Sequence, residues 1–224
     1  MLQAVVIGAG GLGREIMEFI DACQAQGQPI EGIGFVDDNA SRWGEIVNDR
    51  PILGSLDWFD EKPGRRDIRV ICGISDPYIR RREVLAAQKL GLQFCNVIHP
   101  TASISRYAKV GIGVALGQCS VIECQARVGN HVAINMFVAV GHDSVVGDYC
   151  FIGPGAVITG GVHLGEGVFV GLNATSRYGV HVGDGVTIGA MTMLLEDVPA
   201  DATVVGVPGR VVKIRQPGWA AGVA

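Results

Sequence analysis

From Ile98 to Leu194 an aliphatic residue recurs at every sixth position. The series runs Ile98, Ile104, Val110, Leu116, Ile122, Val128, Ile134, Val140, Val146, Ile152, Ile158, Leu164, Val170, Val182, Ile188 and Leu194, and only Ser176 breaks it. Glycine usually follows the aliphatic residue, and four places after it stands a small or β-branched one, such as Ala126, Val132, Val138 or Ser144. A period of six suits neither an amphipathic helix nor a long two-sided strand. It suits a short strand and a corner. The small residue and the next aliphatic are two apart, so both face inward. The two remaining positions carry turn chemistry: Asn130-His131, Asp148-Tyr149, Pro154-Gly155, Glu166-Gly167 and Asp184-Gly185. Three units close a coil of about 18 residues, and coils stack at the interstrand spacing of roughly 4.8 Å. The expected product is a β-solenoid in which each coil touches its neighbours.

Composition agrees. Glycine reaches 33 of 224 residues while aromatics make up 6%, which fits thin aliphatic layers and many turns. With 48% hydrophobic and 18% charged residues the bulk of the chain is not disordered. A net charge of −4 argues against a general nucleic-acid binder. No apolar run approaches the roughly 20 residues of a membrane span, and MLQAVVIGAGG lacks the basic start of a signal peptide, so a cytoplasmic location without membrane association is expected. The six cysteines (23, 72, 95, 119, 124 and 150) form no C-x-x-C and are expected to be buried free thiols.

Residues 1–96 read differently. LQAVVIG is a strand, GAGGLG a glycine turn and REIMEFIDACQAQG a helix; IEGIGFVDD and IRVICGI are further strands, and YIRRREVLAAQKLG a second helix closing at Gly91. This alternation predicts a small parallel α/β sheet with Rossmann-like connections. Gly8, Gly10 and Gly13 satisfy G-x-G-x-x-G between a strand and a helix, where glycine admits a diphosphate close to the backbone. Asp37, 24 residues beyond Gly13, stands near the place of a ribose-binding acid. Three readings fit: a nicotinamide enzyme, a nucleotide-sugar pocket in half of such a fold, or tight turns without a ligand. Fewer than 100 residues is a small allotment for a full dinucleotide fold, which favours the second.

Among the histidines, His142 stands apart. It follows Val140-Gly141 at a corner, with Asp143 in the second corner position. Neighbours on a straight strand point to opposite faces, but at a corner they can cooperate. A carboxylate beside a histidine fixes its tautomer and favours its charged form. Acyl transfer to an amine or hydroxyl needs such a base to take a proton as the acceptor attacks the thioester. His163 and His181, 18 apart, should stack as a solvated ladder, and His131 reads as polar surface. His99 precedes Pro100 at the entry to the solenoid.

Six segments together carry a resemblance over nearly the whole chain: GAGGLGREI near the start, FVDD at 35–38, ICGIS at 71–75, IHPTASIS at 98–105, GHD at 141–143 and GVPGRVVK at 206–213. The chain resembles the hexapeptide-repeat acyltransferases, and within them the two-domain sugar O-/N-acetyltransferase group. The resemblance implies a left-handed parallel β-helix, a homotrimer, and direct acetyl transfer from acetyl-CoA to a nucleotide-linked amino sugar, without a metal. His142 would be the general base, Asp143 its orienter, and the N–H of Gly160 an oxyanion donor. By the same resemblance Gly10, Gly11, Asp37, Asp38 and Gly73 would grip the nucleotide-sugar, with Asn135 contacting the sugar. Leu12 stands where the group often has His, and Met136 where it has Thr, so the acceptor is left open. Coenzyme A would lie between neighbouring solenoids. Small residues at Gly160, Gly171 and Ala190 would line its pantetheine arm, Phe151 and Leu172 would be apolar walls, and Arg210 and Lys213 would hold the 3′-phosphate.

The expected organisation is an α/β Rossmann-like nucleotide-sugar domain over 1–96, an all-β hexapeptide solenoid over 97–214, and a tail over 215–224 that packs outside or frays. O-acetylation of a sugar or other hydroxyl is the alternative chemistry. A non-catalytic binding or scaffolding solenoid is the alternative of another class. A trimeric β-helix zinc hydrolyase needs three converging histidines, and His131 has the wrong hexad phase to join His142.

Overall fold

The N-terminal strands are apolar on both faces, which suits a parallel sheet covered by helices. The computed structural model, which describes residues 1–60, 67–216 and 218–219, bears this out. Strand β1 (Leu2–Ile7) leads into helix α1 (Gly11–Ala25) and then strand β2 (Ile30–Val36). A short hairpin, β3 (Ile46–Val47) and β4 (Arg50–Pro51), precedes β5 (Arg69–Cys72), helix α2 (Pro77–Lys89) and β6 (Gln93–Phe94). The sheet order is β2-β1-β5-β6, all parallel. Helix α1 buries Ile16, Met17, Phe19, Ile20 and Cys23 at 3.6-residue spacing. Asp76 caps α2 by accepting from the N–H groups of Tyr78 and Ile79, with Pro77 at the first position.

The remainder is a three-sided solenoid of two-residue strands. The first side stacks Val97–Ile98, Ala115–Leu116, Ala133–Ile134, Phe151–Ile152, Phe169–Val170, Thr187–Ile188 and Ala202–Val205 in parallel, and is closed by the antiparallel Arg210–Ile214. The second side runs from Ser103–Ile104 to Met193–Leu194, and the third from Lys109–Val110 to His181–Val182. Paired residues are 18 apart, as in Val121↔Ala139 and Val145↔His163, until the shorter last coil, where Thr187 pairs with Thr203. From Val114 onward the inward positions are buried, for example Val138 at 1% and Val140 at 0% exposure, while in the first coil Ala102, Ala108 and Val110 are partly buried and Ile104 is exposed. Second corner positions adopt left-handed backbone even without glycine, at Cys119, Gln125, His131, Phe137, Asp143, Tyr149, Asn173 and Met191.

Ser176 keeps its inward place and is buried. Its hydroxyl accepts the N–H of Thr159, and the Thr159 hydroxyl donates to its carbonyl at 3.0 Å. A polar residue in an aliphatic column is thereby satisfied. Helix α1 covers the first side, where Val97, Ala115, Ala133 and Phe151 join the core of Ile16, Met17 and Ile20. Among the described residues no helix is long and apolar enough to cross a membrane. The tail is docked where it is described. Trp219 is 2% exposed, lies 5.1 Å from the Tyr78 ring and stands under the Arg81 guanidinium. Residues 217 and 220–224 of the tail lie outside the described residues.

Candidate functional site

Two places in the chain gather chemistry. The first is a cavity of about 350 Å³ at the carboxyl ends of β1, β2 and β5, where ligands bind in open α/β sheets. It brings together Gly10, Gly11, Leu12, Asp37, Asp38 and Gly73. Gly13 lies behind it: a Cβ there would come within 1.9 Å of the Gly8 carbonyl oxygen, and one at Gly73 within 2.5 Å of Gly13 Cα. The glycines thus let the turn and helix α1 close on the β5 loop. Gly10 caps α1 with no side-chain partner, so the helix start faces the cavity as a place for anionic groups.

The two acids differ. Asp37 accepts the N–H of Ala9 through Oδ2 and that of Asn39 through Oδ1, both at 2.9 Å, and so clamps the glycine turn. Asp38 is open and lies 3.5 Å from Arg82, which also pairs with Glu83 at 2.7 Å. Sequence reasoning missed Arg82 and Glu83, along with Leu56, Ile74, Ser75 and Ile79, all of which line the cavity. For three of them the signal was the helix period, which brings Ile79, Arg82 and Glu83 to one face of α2.

The second place is the corner between the second and third solenoid sides. His142 Nδ1 lies 2.8 Å from Asp143 Oδ2, with both side chains exposed. The ion contact leaves Nε2 free, turned toward the next coil, where a Cβ on Gly160 would lie 2.6 Å from it. Among the described residues nothing accepts the Gly160 N–H, as an oxyanion donor requires. Two partners were missed. Glu123 Oε2 accepts the backbone N–H of His142 at 3.0 Å, and the Tyr178 ring lies 6.1 Å from the imidazole. Tyr178 stands 36 residues after His142, two coils on, a spacing that could have flagged it.

The other expected residues are dispersed. Asn135, at the corner between the first and second sides, is 5% exposed; it donates to Glu15 Oε2 on α1 at 3.0 Å and accepts from the Met136 N–H. Gly171, Leu172 and Ala190 occupy that same corner, and a Cβ on Gly171 would meet Ala190 N at 2.5 Å. Phe151 lies elsewhere. It stacks on Phe169 at 5.0 Å and is buried against the N-terminal unit, so within one chain it is core packing and not a groove wall. Arg210 and Lys213 are exposed on the last strand.

His131 corrects the expectation of polar surface. The N-terminal unit covers its corner and leaves it 2% exposed, edge-on to Phe94 at 4.5 Å and stacked on Tyr149 at 5.6 Å. Burial pushes its pKa down to about 4. His163 and His181 do form an exposed ladder, with centroids 5.8 Å apart. The cysteines are free, but Cys119 and Cys124 are exposed at corners, because a second or first corner position faces out whatever residue fills it. Among the described residues no group of three or more His, Cys, Asp or Glu could hold a metal.

Family models match along the chain: the PglD N-terminal domain over 3–85, the bacterial transferase hexapeptide over 125–160, and the hexapeptide repeat of succinyl-transferase over 163–191. The acetyltransferase domain of PglB from Neisseria gonorrhoeae is 30% identical, with 94% of this chain and 99% of that one covered and a TM-score of 0.84. A histidine-to-asparagine mutant of perosamine N-acetyltransferase from Caulobacter crescentus, in complex with CoA and GDP-perosamine, is 28% identical over 94% and 96% of the two chains, with a TM-score of 0.84. WeeI from Acinetobacter baumannii is 27% identical over 95% and 100%, with a TM-score of 0.85. No curated protein matches the sequence.

Proposed function

The chain belongs to the two-domain hexapeptide-repeat sugar acetyltransferases, and from that premise we propose that it acetylates the amine of a nucleotide-linked amino sugar with His142 as general base. It is an acetyl-CoA-dependent sugar acetyltransferase; the residue roles and the acceptor are our reading. The observation that carries it is the His142–Asp143 contact at 2.8 Å, which orients the imidazole with Nε2 free beside Gly160.

In this mechanism the acceptor amine attacks the thioester carbon while Nε2 takes its proton, and Asp143 stabilises the imidazolium. The Gly160 N–H stabilises the tetrahedral oxyanion. The thiolate of CoA then leaves, taking up a proton. The cavity over the glycine turn holds the nucleotide-sugar, with its phosphates toward the start of α1. Asn135 serves the sugar end, and Gly171, Leu172, Ala190, Arg210 and Lys213 serve CoA.

No residue of the solenoid lines the cavity among those described, so we place the two halves of the reaction together in a homotrimer. The second side supports that reading: Val121 and Val157 are about 40% exposed, flanked by Phe137, Leu172 and Met191 on one edge and by His142 on the other. Sedimentation at three protomer masses is expected, and a stable active monomer would refute it.

The test of the reaction is a panel of UDP-, GDP- and dTDP-linked amino sugars with acetyl-CoA, followed by hydroxylamine. An acetylated product that survives hydroxylamine is an amide and supports the reading. A product cleaved by it is an ester and would make this an O-acetyltransferase. No acceptor-dependent release of thiol would sink the acceptor class.

A further inference from the structure

Arg80 is the largest fully buried side chain among the described residues, at 1% exposure. A buried cation is ordinarily paired with a carboxylate, yet none lies within ion-pair distance of Arg80 among the described residues. Its guanidinium donates to two backbone carbonyls instead, and its Nε is buried without a partner. Nη2 donates to Ile74 O, in the loop that lines the nucleotide-sugar cavity, and Nη1 donates to His131 O at 3.1 Å, on the solenoid. No backbone N–H among the described residues donates to either carbonyl. The loop and the corner therefore depend on one planar fork, a geometry that lysine or glutamine cannot reproduce.

The surroundings hold that fork in place. Arg80 rises from α2, which is packed on the sheet through Val84 and Ala87. Below it, the His131 ring is wedged between Phe94 of the N-terminal unit and Tyr149 of the next coil, and its Nε2 lies 3.4 Å from Gln88 Nε2 on α2. The coil that begins at His131 carries His142 eleven positions later. On the other side, Gly73–Ile74–Ser75 forms one wall of the cavity and packs against Gly8 and Gly13 of the glycine turn.

We infer that Arg80 is a positioning residue that locks the cavity loop 73–75 to the solenoid of its own chain, so that in the proposed trimer each acceptor pocket is held in a fixed place against the acetyl-transfer corner of a neighbouring copy. This rests on the reading given under Proposed function. A stability role alone would lower the melting temperature without separating the KM values of the two substrates, because losing the fork leaves two carbonyls without a donor.

The experiment compares wild type with Arg80→Met and Arg80→Lys by thermal unfolding, hydrogen exchange and steady-state kinetics with both substrates. Arg80→Met leaves both carbonyls without a donor, so it is expected to fold with a melting temperature lower by a few degrees and to exchange faster at residues 73–75. Its kcat should fall roughly ten- to a hundredfold, since small misplacements of reacting groups carry losses of that order, and its KM for the nucleotide-sugar should rise while that for acetyl-CoA stays put. Arg80→Lys, which can reach one carbonyl, should recover part of kcat. Should the Met variant fail to fold, the Lys variant still has to show the same split between the two KM values. Wild-type kcat and exchange at 73–75 in either folded variant would overturn the inference. If the wild type transfers no acetyl group to any nucleotide-sugar, the proposed reaction fails, and the exchange measurement still decides whether Arg80 holds the loop.

Discussion

At the corner that carries His142, one missing side chain matters as much as the ones present. The imidazole can lean over the next coil because position 160 is glycine, and a Cβ there would meet Nε2 at 2.6 Å. Gly160→Ala is therefore expected to push the ring off its position and lower kcat at least tenfold or so, the scale of a displaced general base, while the melting temperature changes by only a few degrees. Steady-state kinetics beside thermal unfolding check this, and a fully active alanine variant would contradict it. His142 and Asp143 were legible in the sequence because both members of the pair fall on one corner. Glu123 and Tyr178 were not, since they reach His142 from other coils and only the stacking register of 18 joins them. Leu12 was legible as a lining residue, and it is half-buried against the core under α1.

Elements of this fold are read from period more readily than from propensity. Two-residue strands have almost no intrinsic signal, yet the six-residue recurrence placed each of them, because inward positions must be apolar and corners must turn. Which corner lies under another element is a tertiary matter. His131 was therefore misread: its corner has the composition of surface, but α2 and Phe94 cover it. A pH dependence follows from that cover. Desolvation holds the folded pKa near 4, below the ordinary 6.5, opposed in part by Asp148 and reinforced by Arg80. The unfolded chain takes up this proton near pH 6.5 and the folded chain only near 4, so the contribution is fully present above about 6.5 and is lost as pH falls between them. The loss amounts to roughly 3 kcal/mol by pH 4. Urea unfolding across this range should show it, and His131→Phe should flatten that part of the curve. An unchanged slope in the variant would assign the effect to other groups.

For the whole molecule, the proposed division of labour is between a pocket at the carboxyl ends of the sheet strands and a base on a solenoid corner. The helix α1 joins them: it opens at the pocket with Gly10 and Gly11, and it ends its buried face on the first solenoid side through Cys23, whose thiol donates to Ile98 O at 3.1 Å. Strands β1, β2 and β5 and both helices lie within a few residues of where the sequence pattern placed them, since each is set by local apolar spacing and capping, whereas α1 begins inside the glycine turn at Gly11 and β3, β4 and β6 were not expected. The packing of α1 on the solenoid could not be read in advance, because Ala115, Ala133 and Phe151 sit on outward positions whose cover comes from another part of the chain. The same gap separates the CoA candidates, which lie apart within one chain, from the single groove that the proposed trimer would make of them. The most direct test of the account is acceptor-dependent thiol release from acetyl-CoA by wild type and His142→Ala, with CoA affinity measured on both. The account predicts turnover of a nucleotide-linked amino sugar by wild type, a loss of about a hundredfold or more in the variant, and equal CoA affinity. Wild-type turnover in the variant would contradict the assignment of His142 as the base.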